Sequence, residues 1–414
     1  MTRRRVVRRG LVLGAGGVLG SAWMVGAMRA IELETGRDLA TSDLVVGTSA
    51  GAVVAAMLRL DVGVEAMANS ERGIYEAGDP VLDYRDLGAS LPPRPRMRMG
   101  SPRLLTASAL HPRHASPMVT LAAILPQGRG KISAVGDLVA TAMKRAGVGP
   151  ADWPDPPDLR VVAMNFDTGH RVLFGAPDAP RLTLPEAVMA SCAIPGWYAP
   201  IKVGGQRFVD GGTRSPISVD LIAQAGLDEV IVVAPACSLV SDRPRGAVAR
   251  VERQVRRAAT RRLLREVAEV EAAGARVTVL CPGPEDLEVM GGNLMDLTRR
   301  AEVFETSLRT TVTALRAGAR PRPRPRPSAA RSGQSVAGTG RHGGSRSGAS
   351  PGAGTTGARN AAAGTTAAET AAAEPTAAGN AATGSLAVGS AVAERGGTAP
   401  AGRSGRSVGL DLAG

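Results

Sequence analysis

The sequence predicts an α/β protein of three layers, a largely parallel central sheet between two layers of helices, followed by a disordered tail. Three observations predict it. Short apolar runs near 6–13, 44–47 and 229–234 alternate with segments of helical period, the pattern of parallel strands joined by helices. Two of these runs pass directly through glycines into a helix pattern, at Gly14–Gly20 and at Gly47–Gly51. From Gly318 the chain turns to Ala, Gly, Thr, Ser, Pro and Arg, with few large apolar residues to offset ordering entropy.

Taken in order, a strand at 6–13, interrupted by Arg8 and Arg9, leads through Gly14-Ala15-Gly16-Gly17-Val18-Leu19-Gly20 into a helix at 18–34. A strand at 44–47 then meets Gly47-Thr48-Ser49-Ala50-Gly51 and a small-residue helix at 50–60. Strands follow near 160–165 and 171–174, then a short helix at 185–192 and a hairpin at 200–209. The remainder reads as helix 216–225, strand 229–234, helix 249–273, strand 276–280 and helix 293–316. Val251, Val255, Ala259, Leu263, Val267 and Val270 recur at helical spacing and read as a core-facing stripe.

The strand–turn–helix setting of Ser49 is that of a nucleophile elbow. Gly47 and Gly51 leave room for the sharp turn and for substrate above the hydroxyl. The loop from Gly14 to Gly20 places backbone N–H groups at a helix N-terminus, where they can receive a negative oxygen. That loop reads either as a dinucleotide cradle or as an oxyanion hole. A cradle needs a carboxylate at the end of the second strand. Here that strand ends in Gly47-Thr48-Ser49, so the oxyanion reading is the better one. A third element, Phe208-Val209-Asp210-Gly211-Gly212, places a carboxylate at a strand end before two flexible residues; an ordinary turn is the plainer reading.

In this order the glycine loop, Gly-Thr-Ser-Ala-Gly and Asp-Gly-Gly resemble the patatin-like phospholipases, Ser-Asp dyad acyl hydrolases. Ala190-Ser191-Cys192-Ala193-Ile194-Pro195 with Tyr198-Ala199-Pro200, and Asn165-Phe166-Asp167-Thr168-Gly169, match further segments of that family. The likeness spans roughly 8–240, with helices to about 316 completing the domain. It implies a patatin-like fold in which Ser49 attacks an ester carbonyl and Asp210 acts as general base without histidine. It also implies an oxyanion hole of backbone N–H groups at Gly16, Gly17 and Val18. The loop departs from the usual Gly-Gly-Gly-x-Arg/Lys-Gly: Ala15 replaces a glycine and Leu19 the basic residue, which puts phospholipid preference in question more than ester cleavage.

The histidine census fits a dyad. His342 lies in the tail, His170 follows a turn before Asp210, and His111 and His114 sit in a Pro-rich loop. No carboxylate near that pair completes a metal site, so neither metal nor cofactor is expected. Cys192, Cys237 and Cys281 are spread through apolar contexts, as in reduced proteins, and imply a cytoplasmic setting, to which the basic charge adds an expected peripheral membrane contact. An apolar run after the basic Met1–Arg9 stretch mimics a secretory signal, yet cleavage would remove the oxyanion loop.

The formal charge of +13 rests almost wholly on arginine. With 2% aromatic residues the chain has little to stack on bases, so an anionic membrane surface is the expected partner rather than nucleic acid. Residues 1–317 form the expected hydrolase domain, and 318–414 its tail, beginning with an Arg-Pro spacer at 320–327. Within the domain, 87–136 contains no acidic residue but carries Arg94, Arg96, Arg98, Arg103, Arg113, Arg129 and Lys131. This basic insertion, with its apolar stretch 118–125, reads equally as a lid or docking element and as a solvated loop with an ordinary core helix. The leading expectation is a lipid acyl hydrolase. Its alternatives are a soluble small-ester esterase or thioesterase and a non-catalytic lipid-binding protein that keeps the fold.

Overall fold

A computed structural model of the chain describes residues 6–76, 99–110, 117–154, 158–240 and 246–317. The elements are β1 (Arg9–Leu13), α1 (Gly17–Thr35), β2 (Leu44–Thr48), α2 (Ala50–Arg59), α3 (Val64–Glu71), α4 (Pro102–Leu110), α5 (Pro117–Ile124), α6 (Ser133–Arg145) and β3 (Asp158–Asn165). They continue with β4 (Arg171–Phe174), α7 (Leu184–Cys192), β5 (Ile201–Val203), β6 (Gln206–Asp210), β7 (Glu229–Val233), α8 (Ala247–Ala272), β8 (Arg276–Leu280), α9 (Pro284–Met290) and α10 (Arg300–Arg316). Expectations for 77–98, for His111, Arg113 and His114, and for the tail from Gly318 with His342, fall outside the described residues.

The sheet runs β5-β6-β3-β2-β1-β7-β8, with β4 paired to β3. From β3 to β8 every neighbour is parallel; β4, β5 and β6 are antiparallel additions at one end. The parallel strands are apolar on both faces because both faces are covered. Leu11, Leu13 and Val45 enter one core with α1, α2, α6, α7 and α10. Val12, Leu44 and Val46 enter the other, with α8. The predicted three-layer architecture with a largely parallel sheet is the one observed.

Register explains how distant segments meet. On β3, β2 pairs with 158–162, β4 with 161–164 and β6 with 163–165. Because β4 overlaps both of the others, β2 and β6 must share the opposite edge of β3. They run toward each other, and their last residues, Thr48 and Asp210, lie against the consecutive residues Val162 and Ala163.

Several expected elements differ. Strand β1 begins at Arg9 rather than residue 6, and Val6 and Val7 are exposed. The expected helix 216–225 contracts to a 3-10 turn, Val219–Ile222, preceded by Ser218 at φ 58°. The last helix starts at Arg300, not 293, after a turn capped by Asp296. In α8, Leu263, Val267 and Val270 face the core, but Val251 and Val255 are exposed. There Arg253 and Arg256 turn inward instead; the Arg256 guanidinium donates to Glu252 and to the Pro235 carbonyl, and this ion pair sets the face of the first turns. Helix α5 serves both readings of the insertion. Val119, Ala122 and Ala123 pack on Met164, Phe166 and Val209, whereas Met118, Leu121 and Ile124 face outward.

Candidate active site

Ser49 sits between β2 and α2 with φ 56° and ψ −124°, a left-handed conformation that a serine adopts only where the surrounding chain imposes it. The neighbouring glycines are required by close approach. A Cβ on Gly47 would lie 2.4 Å from the Ala52 Cα, and one on Gly51 would lie 2.1 Å from the Leu13 carbonyl oxygen. The turn thus packs directly onto the end of β1, as the elbow reading requires.

The same packing brings the glycine loop alongside, since Leu13 pairs with Gly47 at the ends of β1 and β2. Four of the loop's N–H groups are occupied. Gly14 donates to Val233 at 3.0 Å, Ala15 to Pro216 at 2.8 Å, Leu19 to Leu294 at 3.0 Å and Gly20 to Gly16 at 2.9 Å. Among the described residues, no protein acceptor meets the N–H groups of Gly16, Gly17 and Val18. These three open donors are at the mouth of α1, which has no capping side chain and no acidic residue in its first turn. The positive end of the helix is therefore uncompensated.

Asp210 ends β6 and is 5% exposed. Its Oδ1 accepts from Gly212 N–H at 2.7 Å. Burial pushes its pKa up to about 6, against hydrogen bonds from Ser49 and from Gly212 N–H that favour the charged form. Gly211 is held as tightly, since a Cβ there would lie 2.6 Å from the Val162 carbonyl oxygen.

Two contacts from the end of α7 hold both groups. Ser191 Oγ accepts from Ser49 N–H at 2.8 Å and donates to the Val162 carbonyl at 2.6 Å, and Asp210 N–H donates to the Ala193 carbonyl at 3.0 Å. In the sequence Ser191 stands out only as part of the Ala190–Pro195 segment, with no role of its own. The available signal was a serine inside an otherwise apolar, buried helix end.

A pocket opens over Ser49, lined by Gly17, Val18, Ser21, Ala50, Val53, Ile132, Val135, Ile194, Tyr198 and Met295. Cys192 also lines it, its thiol pushed well up by burial and by the neighbouring Asp210 charge. The structure thus brings together Ser49, Asp210, Gly17 and Val18, with Gly16 beside them. Gly14 and Gly20 serve packing: a Cβ at Gly14 would meet Ile217 and one at Gly20 would meet Pro235. A Cβ on Gly212 would lie 3.0 Å from the Asp210 carboxylate. His170 is exposed, its carbonyl taken by Asn165 N–H, and it does not line the pocket. Leu19 is fully buried in the core.

Fold and site define an α/β protein with a serine elbow and an adjoining glycine loop at the strand ends. The chain belongs to the patatin-like phospholipase family, whose model matches residues 11–222. Among solved structures, VipD from Legionella pneumophila aligns at 16% identity over 77% of this chain and 72% of that one, with a TM-score of 0.33. The type III effector ExoU aligns at 18% identity over 75% of this chain, with a TM-score of 0.33. The match covers 53% of the ExoU chain, so this protein spans about half of it. ExoU in complex with SpcU, from Pseudomonas aeruginosa, aligns at 16% over 73% and 53%, with a TM-score of 0.29. Likeness of this degree bears on neither substrate nor partner. Among the described residues no helix is long and apolar enough to cross a membrane.

Proposed function

We propose that the protein is a lipid acyl hydrolase that cleaves carboxylic esters by a Ser49–Asp210 dyad. The observation that carries this reading is one apolar pocket bordered by Ser49 and by the open N–H groups of the glycine loop, with β2 and β6 ending against consecutive residues of β3 so that the buried Asp210 stands next to that serine. Ser49 Oγ attacks the ester carbonyl carbon while Asp210 takes its proton. The oxyanion receives the N–H groups of Gly16, Gly17 and Val18, whose removal one at a time typically costs on the order of 10²–10³ in rate. Collapse expels the alcohol, protonated by Asp210, and leaves an acyl-serine. Asp210 then deprotonates water, whose attack releases the acid and restores Ser49. A base with a pKa near 6 is ionised at neutral pH yet basic enough to accept the proton. The apolar wall of Val53, Ile132, Val135 and Ile194 suits an acyl chain.

The reading further takes 1–317 as a self-sufficient hydrolase domain, because α10 packs along α1 and completes the core with Val303, Phe304, Leu308 and Leu315. The experiment is hydrolysis of a chromogenic acyl ester and of a lipid panel by the wild type, Ser49→Ala and Asp210→Asn. Both variants should fold and lose activity by more than about a thousandfold. Activity within about tenfold of wild type in either folded variant would exclude the dyad. Turnover of short soluble esters with none of lipids would favour the small-ester alternative, and lipid binding without turnover a non-catalytic protein.

A further inference from the structure

We propose that the outward face of α5 is a docking surface for an anionic lipid bilayer, placed beside the entrance to the Ser49 pocket. The proposal rests on the lipid-ester reading only for what the docked surface supplies; the surface itself is read from its own residues.

Helix α5 carries no charged residue. Its inner side, Val119, Ala122 and Ala123, is core. Its outer side repeats every three residues as Met118, Leu121 and Ile124, with 46%, 49% and 52% of their surface exposed. A helix apolar on both its inner and its outer side, with Thr120 its one polar side chain, needs an apolar medium on both, and water meets this one on its outer side. Met99 extends the patch: it bridges to Pro126 just past the helix end and is 45% exposed.

Exposed cations stand on the elements next to this stripe. Arg103 on α4, which packs beside α5, is exposed, as are Arg129 and Lys131 on the segment leaving α5. No acidic residue lies between Asp86 and Asp137, and Asp167, on the β3 side of this region, is paired with Arg207 and also feels the charge of Arg103. The segment then leads into the site. Gly130 exchanges hydrogen bonds with the Trp197 carbonyl and Ala199 N–H at 3.0 Å each, holding it against Tyr198. Tyr198, Ile132 and Val135 all line the Ser49 pocket.

An apolar stripe flanked by exposed cations matches the layering of an anionic leaflet, with acyl chains beneath phosphate and carboxylate head groups. A second copy of this chain fits less well, because a two-fold contact brings the same patch of each copy together and would crowd cations against cations with no carboxylate of the patch to pair them. Nucleic acid would leave the apolar stripe unmatched.

The test uses full-length Ser49→Ala protein, so that binding is read without hydrolysis, in co-sedimentation with phosphatidylserine-containing and pure phosphatidylcholine vesicles. Affinity should be higher for the anionic vesicles and fall as salt rises. Leu121→Asp with Ile124→Asp should weaken binding by at least about tenfold. Arg129→Gln with Lys131→Gln should remove most of the anionic preference, on the order of tenfold. On a Ser49 background both double variants should hydrolyse a soluble ester within about twofold of wild type, which establishes that they fold. Unchanged vesicle binding by Leu121→Asp/Ile124→Asp, or equal affinity for the two vesicle types, would overturn the proposal. So would loss of a dimer in sedimentation velocity with vesicle binding intact, which would assign the face to a second copy. A protein that binds as described but hydrolyses no lipid ester would sink the hydrolase reading and leave the surface standing.

Discussion

The backbone N–H of Ser49 donates to the hydroxyl of Ser191 at 2.8 Å, and that hydroxyl donates onward to the Val162 carbonyl at 2.6 Å. Two residues further on, the Ala193 carbonyl accepts from Asp210 N–H. One turn at the end of α7 therefore grips the serine elbow and the end of β6, both of which abut β3. The strained φ of Ser49 persists because this bond and the glycine contacts around it fix the turn.

Ser191→Ala tests that grip. It leaves the Ser49 N–H and the Val162 carbonyl without the hydroxyl, at about 1–3 kcal/mol for a buried group left unpaired. The melting temperature should fall. If the elbow relaxes by a fraction of an ångström, kcat should drop on the order of 10–10² while KM stays within a few-fold. A stability loss with kcat unchanged would make Ser191 a packing residue only.

The pH dependence of Asp210 has two consequences of opposite sign. As base it must be ionised, so kcat/KM should be flat above neutrality and fall as pH drops through about 6. For stability, a carboxyl raised from 3.8 to about 6 binds more protons folded than unfolded, so the charged form burdens the fold. Its contribution is most favourable below pH 4, diminishes as pH rises from about 4 to about 6, and is constant above. Asp210→Asn keeps an acceptor for Gly212 N–H without the charge. It should melt at an equal temperature near pH 4 and a few degrees higher at pH 7–8, while inactive. A variant less stable at pH 8 than wild type would mean that the buried charge is compensated by contacts beyond Ser49 and Gly212.

Legibility in the sequence followed distance along the chain. Ser49, its glycines and the loop at Gly16–Val18 were readable because each is a strand–turn–helix unit within a dozen residues. Asp210 was readable as a strand-end carboxylate, but its juxtaposition with Ser49 depends on β2 and β6 sharing one edge of β3. No local pattern encodes that register. The role of Ser191 was hidden for the same reason, since its partners lie 142 and 29 residues away. Helix α6 is a different case. Its buried Ala134, Val135, Leu138, Val139, Ala142 and Met143 follow helical spacing, and the signal was present but masked by the basic segment before it. The expected helix at 216–225 failed because Pro216, Ser218 at positive φ and Gly226 leave room for only one turn.

Gly17 offers a test of the open donors that leaves Ser49 and Asp210 untouched. Its φ of 62° is unfavourable for alanine, and a Cβ would lie 2.9 Å from the Leu294 carbonyl oxygen and 3.2 Å from Met295 Sδ. Gly17→Ala should push the loop from the Leu294–Met295 segment and misaim the N–H groups of Gly17 and Val18. Loss of one oxyanion donor corresponds to about 10²–10³ in kcat with little change in KM. Steady-state kinetics on a soluble ester read this directly. Wild-type kcat in a folded Gly17→Ala protein would remove this loop from the reaction.

Leu19 stands where the family's loop usually carries a basic residue, and the structure bears on whether restoring it would help. The side chain is fully buried among the residues of the main core, and its N–H is bonded to the Leu294 carbonyl at 3.0 Å. A brace for the loop is thus already supplied by residues 294–295, a segment beyond the 11–222 family match. An arginine at this position would enter a closed apolar site rather than reach a substrate phosphate. A buried, unpartnered charge costs several kcal/mol. Leu19→Arg should therefore lower the melting temperature strongly and reduce turnover of every ester in parallel, phospholipid included. Leu19→Met, which conserves volume and polarity, should cost less than about 1.5 kcal/mol and retain activity. The measurements are thermal melts and parallel assays on a soluble ester and on phospholipid vesicles. A stable Leu19→Arg protein with turnover raised on phospholipid alone would show that the side chain can swing out of the core into the substrate path, and that the loop is not held by Leu294 as the geometry indicates.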